Sequence, residues 1–431
     1  MATRCGHPPS CGALTSGRLL SARYPLAPVS PQAQLLGRLG VVKLWRAGHT
    51  ARIETMQPSL HLFLVLLCSA LPALHAVDET PIVGAIRWDG WYGEGGVVDQ
   101  VELSLGQPKY HFRLPWFARV LSQGKVSING DSQAIMEQEI AYAAQAGLNY
   151  WAFVDYLDEA PSLSIALNRY LGAKEKKGIR YCLVEEGARL DKAGVKAWSR
   201  LVQHFRQPDY QTVLDGRPLL CLFGKTTKLG QAEWIELKRQ TLAAGMKAPY
   251  LVLMGWEAEK DRQALGFDAV SEYACSGKGY TTDPESYEKL TSHSVSEKLW
   301  GKWQHQHTPC ITFATAGWDT RPRQERPPSW CPWITATPDP TPPAQQKPLL
   351  DATTATPDEI AAHVRAAITW TQANRALNPA NVIILYAWNE HDEGGWLQPT
   401  LGPNGQPDAS RIQALGKVLR PAQVNAAPSK H

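Results

Sequence analysis

From residue 81 onward, short apolar runs alternate with longer stretches in which apolar residues recur every three or four positions. The runs are Pro81–Gly93, Asn149–Tyr156, Arg180–Glu186, Arg217–Gly224, Pro249–Trp256, Phe267–Ala274, Pro309–Asp319 and Asn381–Glu390. Near-continuous hydrophobicity over so few residues is how a strand reads when both of its faces are buried. The stretches with helical period are Ser132–Ala146, Leu163–Lys177, Ala193–Arg206, Gln231–Ala244, Ala258–Leu265, Pro284–Gln304, Asp358–Ala373 and Ser410–Leu419. Asp131 caps the first of these and Gly147 closes it. Strands that alternate with helices predict a parallel sheet with right-handed crossovers. Eight such units match an α/β fold of the (β/α)8 TIM-barrel type with loop insertions. A doubly wound open sheet is the alternative, but no GxGxxG follows the first strand and no P-loop occurs.

The first 76 residues follow a different pattern. Residues 1–55 are rich in Arg, Pro, Ser and Gly and hold no sustained period, so they read as an over-called extension upstream of a start at Met56. Leu60–Leu71 (LHLFLVLLCSAL) is too short to span a bilayer as a helix and has the length of a signal-peptide core. A cut after Ala76 makes 56–76 a signal peptide and 77–431 one catalytic domain, monomeric, periplasmic or extracellular, and without stable membrane insertion once cleaved. An uncut membrane anchor is the alternative.

Charge changes the picture once this segment is set aside. The chain carries a formal +4, but seven Lys/Arg and one acid lie before residue 77, leaving 37 basic and 39 acidic groups beyond it. That body lacks the electrostatic footprint of a nucleic-acid binder. Its five cysteines, odd in number and widely spaced, exclude a disulfide framework and a CxxC zinc site. Cys182 and Cys221 read as core thiols, and a bridge between Cys310 and Cys331 is left open. His305 and His307 close an amphipathic helix with no carboxylate set beside them, so no metal and no cofactor are expected.

In a (β/α)8 barrel, chemistry sits at the C-terminal strand ends. Those ends supply Trp88, Asp89, Trp91 and Tyr92 from strand one, Asp155 from strand two, Glu185 and Glu186 from strand three, and Trp256 from strand five. Strand six adds Glu272 and Tyr273, strand seven Trp318, Asp319 and Arg321, and strand eight Trp388, Asn389 and Trp396. Fifteen of the 16 Trp lie beyond residue 76. Flat rings stack on the apolar faces of sugars while carboxylates and Arg bond the hydroxyl rim, so a carbohydrate substrate is expected at this mouth. Trp198, Trp234 and Trp370 fall on helices and read as packing. Arg321 and Arg323 either clamp a carboxylate on an acidic sugar or pair with Asp319 and Glu325.

The strongest local signal is AWNEHDEGGW, Ala387–Trp396, which sets Glu390 and Glu393 three residues apart just beyond the last strand. Glycoside cleavage needs one carboxyl to protonate the leaving oxygen and another as base or nucleophile. Two acids this close push their pKa values apart, which keeps one protonated near neutrality. Gly394 and Gly395 permit the bend that turns Glu393 back into the mouth.

This segment resembles the NExxEG signature of glycoside hydrolase family 99 and its bacterial WbsX-type relatives, with His391 where the signature has Trp. GWDTRPR, Gly317–Arg323, resembles the GWD-x-x-PR segment of the WbsX-type relatives, and Tyr210–Gly224 is similar to their approach to strand four. The resemblance implies a (β/α)8 barrel acting on α-linked mannose with retention, through a 1,2-anhydro sugar. It implies that Glu390 deprotonates the substrate 2-hydroxyl and that Glu393 protonates the leaving oxygen and then activates water. A nucleophile or base from another strand (Glu185, Glu186, Asp155 or Glu272) is the rival mechanism. A glycosyltransferase and a non-catalytic carbohydrate-binding barrel are the rival functions.

The export reading predicts that protein recovered from the periplasm or medium begins at or near Val77. N-terminal sequencing checks this, and full-length chain carrying Met1 in the cytoplasm would refute it.

Overall fold

The computed structural model describes residues 80–420, apart from 94, 123, 158–160, 256, 278–282 and 330–350. The leader, the proposed cleavage site, Trp256 and Cys331 lie outside the described residues. Eight parallel strands form the centre: β1 (Ile82–Arg87), β2 (Tyr150–Asp155), β3 (Arg180–Glu186), β4 (Arg217–Phe223), β5 (Tyr250–Met254), β6 (Ala269–Ser271), β7 (Thr312–Thr315) and β8 (Val382–Tyr386). Their spatial order is their chain order, with β8 paired to both β7 and β1. A bridge between Val270 and Cys310 brings β6 against the residues leading into β7, through Val270 N–H to Pro309 O and Ile311 N–H to Val270 O, both 2.9 Å. The sheet thus comes round on itself, and helices cover it between strands. This is the (β/α)8 barrel that the alternation predicts.

The differences from expectation have local causes. The run Pro81–Gly93 leaves the sheet at Trp88, whose N–H is taken by the Asn389 side chain at 3.0 Å instead of a neighbouring strand. The expected helix Ala193–Arg206 breaks at Gly194, in the left-handed region at φ 64°, into Gly187–Ala193 and Ala197–Phe205. Leu163–Lys177 is helical only over Ile165–Gly172, where Lys176 Nζ donates to the carbonyls of Leu171 and Ala173 and satisfies the frayed end. Pro284–Gln304 starts at Tyr287 after the Ser286 cap and widens into π-helix over Leu290–Gly301. By contrast, Thr356 and Glu359 form a reciprocal capping box that fixes the start of Pro357–Ala373. The long segment after β1 folds into a helix (Val97–Leu105), a 3-10 turn (Pro108–Arg113) and a hairpin (Arg119–Ser122 with Lys125–Ser127). Cys182, Cys221 and Cys310 are buried free thiols. Among the described residues, no helix is long and apolar enough to cross a membrane.

Inside the barrel, the ring of Tyr150 on β2 lies flat against Gly84 on β1, where a Cβ would come within 2.3 Å of it. Gly84→Ala is therefore expected to force this buried ring aside and to destabilise the fold by about 1–3 kcal/mol. Urea unfolding checks this, and an unchanged midpoint would show that the ring can move freely.

Candidate active site

At the end of β8, after a cis peptide between Tyr386 and Ala387, the chain folds back on itself. Asn389–Glu390 pairs antiparallel with Gly395–Trp396, and His391–Glu393 makes the turn between them. Gly394 closes it at φ 83°, with room for a Cβ removed by Asp319, whose backbone N would lie 2.5 Å away. The Asp319 N–H also donates to the Glu393 carbonyl at 2.6 Å, so the loops after β7 and β8 are stitched together. Two acids, Glu390 and Glu393, are thereby presented from one tight turn.

Glu390 and Glu393 are both buried. Tyr273, just past β6, donates its hydroxyl to Glu390 Oε1 at 3.1 Å, and Tyr386 donates its own to Glu393 Oε2. Arg323 lies between the two acids. Its Nη1 donates to Glu393 Oε1, its Nη2 is 3.7 Å from Glu390 Oε2, and Nε and Nη2 hold Asp392 in a fork at 2.6 and 3.1 Å. Glu390 Oε2 has no hydrogen-bond partner among the described residues. Burial and the charge of Glu393 push the Glu390 carboxyl well above the usual range, with Arg323 opposing. Burial raises Glu393 too, again opposed by Arg323 and by the Tyr386 hydroxyl. Three neighbouring carboxylates outweigh burial at Arg323 and keep it charged.

Aromatic rings wall this pair. Phe223 and Tyr273 lie 4.4 Å apart between centroids, Tyr273 and Tyr386 5.8 Å, and Trp318 and Tyr386 5.9 Å. On the other side, Trp88 donates its indole N–H to the Tyr156 hydroxyl at 2.6 Å, and its ring lies 5.6 Å from the Arg323 guanidinium carbon. Glu186 enters beside them, bonded by Arg189, which in turn covers the Tyr156 ring.

Several residues expected at the mouth are elsewhere. Successive side chains on a strand point to opposite faces. Asp155 and Glu185 face each other across β2 and β3 in the outer layer, where Arg200 of the helix Ala197–Phe205 pairs with Asp155. Glu272 is fully buried beside Glu259 and Lys302 of the outer helices, while Tyr273, next in sequence, reaches Glu390. Trp388 packs on Trp151 at 5.2 Å and donates to Glu139 at 3.4 Å. Trp396 is sandwiched between His391 and the Arg411 guanidinium, 3.7 Å from its ring. Trp91 is wholly buried against Trp88 and His391, and Tyr92 donates to Glu139. The rings of Trp388, Trp396, Trp91 and Tyr92 are thus each packed against other protein side chains. Asp89 and Asn389 form a buried bracket behind Trp88, with Asn389 Nδ2 to Asp89 Oδ1 at 3.2 Å, and burial lifts Asp89 to about 6. Asp319 receives Arg113 and Arg321, while Glu325 takes Lys109 and Tyr110 instead of Arg323, whose carboxylate partners are Asp392 and Glu393. His391 stacks on Trp396 where the family signature has Trp, and burial lowers its pKa to about 4.

The sequence pattern places Tyr273 among the strand-six end residues but gives no role to Tyr386, Asp392 or Glu139. Glu139 was detectable, because it occupies the apolar stripe of its helix with Met136, Ile140 and Ala143.

Fold and mouth together define a (β/α)8 barrel with a buried acid pair beyond its last strand. Residues 180–405, just over half of the chain, match the family described as glycosyltransferase WbsX, and the chain belongs to that family. No curated protein matches the sequence. Among solved structures, the chain is similar to the family 99 endo-α-mannosidase of Bacteroides thetaiotaomicron in complex with bis-tris-propane, at 14% identity and a TM-score of 0.48, covering 78% of this chain and 95% of that one. It is also similar to a glycoside hydrolase-like protein, at 13% identity and a TM-score of 0.51, covering 79% and 94%. At that identity the latter bears on the fold alone.

Burial raises Glu272 to about 8, so the folded state binds a proton there that the unfolded chain releases above its ordinary range. The contribution of this carboxyl to stability is therefore highest at low pH and is lost as pH rises through that window, on the order of 4 kcal/mol in all. Glu272→Gln is expected to gain stability over the parent between pH 5 and pH 8. A difference that stays flat across that range, read by chemical denaturation, would be the contrary result.

Proposed function

We propose that this protein is an exported glycoside hydrolase that cleaves an uncharged oligo- or polysaccharide with retention of configuration. The observation that carries the reading is the pair Glu390 and Glu393, buried on one turn of chain at the strand ends, with titrations shifted upward and tyrosines fixing one oxygen of each. Carboxyls whose titration burial shifts upward are suited to the proton exchange that general acid–base cleavage needs.

Because both acids come from one turn, neither is placed to attack the anomeric carbon while the other reaches the leaving oxygen from the opposite face. Attack by the substrate's own 2-hydroxyl avoids that conflict. Glu390 Oε2, the unpartnered acceptor, takes the hydroxyl proton. The 2-oxygen closes on the anomeric carbon, the bond to the leaving oxygen breaks, and Glu393 gives its proton to that oxygen. In the second half Glu393 takes a proton from water, the hydroxide opens the anhydro ring at the anomeric carbon, and Glu390 returns the proton to the 2-oxygen. Arg321 and Arg323 are both matched by carboxylates, which favours a neutral sugar over an acidic one.

The family description favours a second reading, transfer of a glycosyl group from an activated donor. Reducing-end release across a panel of neutral and acidic polysaccharides separates the two, alongside turnover of nucleotide sugars. The hydrolase reading expects release from a neutral polymer. Glu390→Gln and Glu393→Gln should each cut turnover by roughly 10²–10⁴-fold while retaining binding. Full activity in either variant, a glycosyl ester trapped on Glu186, or turnover of nucleotide sugars alone would overturn it.

A further inference from the structure

Arg323 is the one described cation that touches both members of the acid pair, and it is built into place. It leaves the short helix Arg321–Glu325 after β7, is buried, lies against the Trp88 ring, and is gripped in a fork by Asp392 from the turn that carries the acids. The remaining guanidinium nitrogen donates to Glu393. A bidentate partner fixes the orientation of a guanidinium, so Asp392 decides where the positive charge sits and how much of it the glutamates feel.

We propose that Arg323, anchored by Asp392, is a positioning residue that lets Glu393 alternate between proton donor and proton acceptor. A carboxyl buried among acids with no cation holds its proton permanently and serves one half of a retaining reaction only. A carboxyl facing an uncompensated guanidinium stays ionised and fails the first half. Arg323 with its charge partly offset by Asp392 lies between these limits. The groups facing Glu393 are Arg323, Tyr386, Asp392, Glu390 and Tyr273; those facing Glu390 are Glu393, Arg323, Asp392, Tyr273, Tyr386 and Tyr156. Arg323 is the cation among them, and Asp392 tempers it.

This inference rests on the hydrolase reading, and its signature is a pair of opposite shifts. Arg323→Gln removes the cation, so both carboxyls hold their protons to higher pH. Asp392→Asn frees the whole guanidinium charge, so both release them at lower pH. The bell-shaped dependence of kcat/KM on the polymer found in the panel should move upward in the first variant and downward in the second, by about one pH unit or more. Arg323→Lys should restore most of the position by keeping the charge.

Infrared titration of protein carrying ¹³C-labelled glutamate, referenced to Glu390→Gln and Glu393→Gln, reads the same shifts without substrate. If Arg323→Gln does not fold because Asp392 is left bare, Asp392→Asn and the double variant Arg323→Gln/Asp392→Asn still decide. Unmoved carboxyl titrations, or shifts of the same sign in the two single variants, overturn the inference even if the protein is a hydrolase. Opposite shifts without turnover on any polymer would support the charge relation and remove the hydrolase reading instead.

Discussion

The buried contact between Arg87 and Glu139 holds the mouth of this barrel in register. Arg87 ends β1 and Glu139 belongs to the helix Gln133–Ala146, yet the same carboxylate also receives Tyr92 from the loop after β1 and Trp388 and Gln398 from the segment after β8. Four donors from three parts of the chain thus converge on one acid that no water reaches. Arg87 also pairs with Asp89 at 2.8 Å, so removing Arg87 alone would leave two buried carboxylates without their cation, a loss of about 3–5 kcal/mol. The larger consequence is geometric. With Trp388 fixed from behind, the next residue, Asn389, brackets Trp88 and Asp89, and the one after it is Glu390. Catalytic groups held by a supporting layer of this kind keep their orientation to the fraction of an ångström that acid–base chemistry requires.

The same economy of charge governs the mouth itself. Arg113 and Arg321 meet Asp319, Arg189 meets Glu186, and Arg323 meets Asp392 and Glu393. Glu390 is the acid with the weakest compensation, holding a tyrosine hydroxyl on one oxygen and a guanidinium at ion-pair distance from the other. In a water-poor site that imbalance is what moves a carboxyl out of its ordinary range, because desolvation penalises the charged form and Glu393 repels it. The aromatic rings around the pair keep the local dielectric low, and under the proposed function their apolar faces would meet a sugar ring.

Strand positions were readable from the sequence because burial on both faces leaves an uninterrupted apolar run, and β3 appears in the structure with the predicted bounds, Arg180–Glu186. The bend at Gly394 was readable because a left-handed position demands glycine. Which side of the sheet an acid faces was not. Glu185 and Glu186 are adjacent and must point opposite ways, and only the position of Arg200 and Arg189 tells which turns inward. Tryptophan counts were a poor guide for a related reason. Trp388 and Trp318 both end strands, but a ring that caps a buried carboxylate and a ring that walls a site have the same composition and spacing. Asp392 lay inside the motif and was passed over because a fork to Arg323 spans 69 residues, a pairing that no local pattern encodes.

The leaving group offers a physical way to weigh hydrolysis against transfer. A nucleotide donor departs as a phosphate, a weak base that needs countercharge and no proton. A sugar hydroxyl departs as an alkoxide, which is far too basic to leave without one. A site made for the first has reason to present unmatched cations, whereas a site made for the second has reason to hold a carboxylic acid in its protonated form. At this mouth the described arginines are matched by carboxylates, and Glu393, the proposed proton donor, is buried where desolvation favours protonation. That balance of charge suits proton transfer to a poor leaving group, which is why the proposed function is hydrolysis.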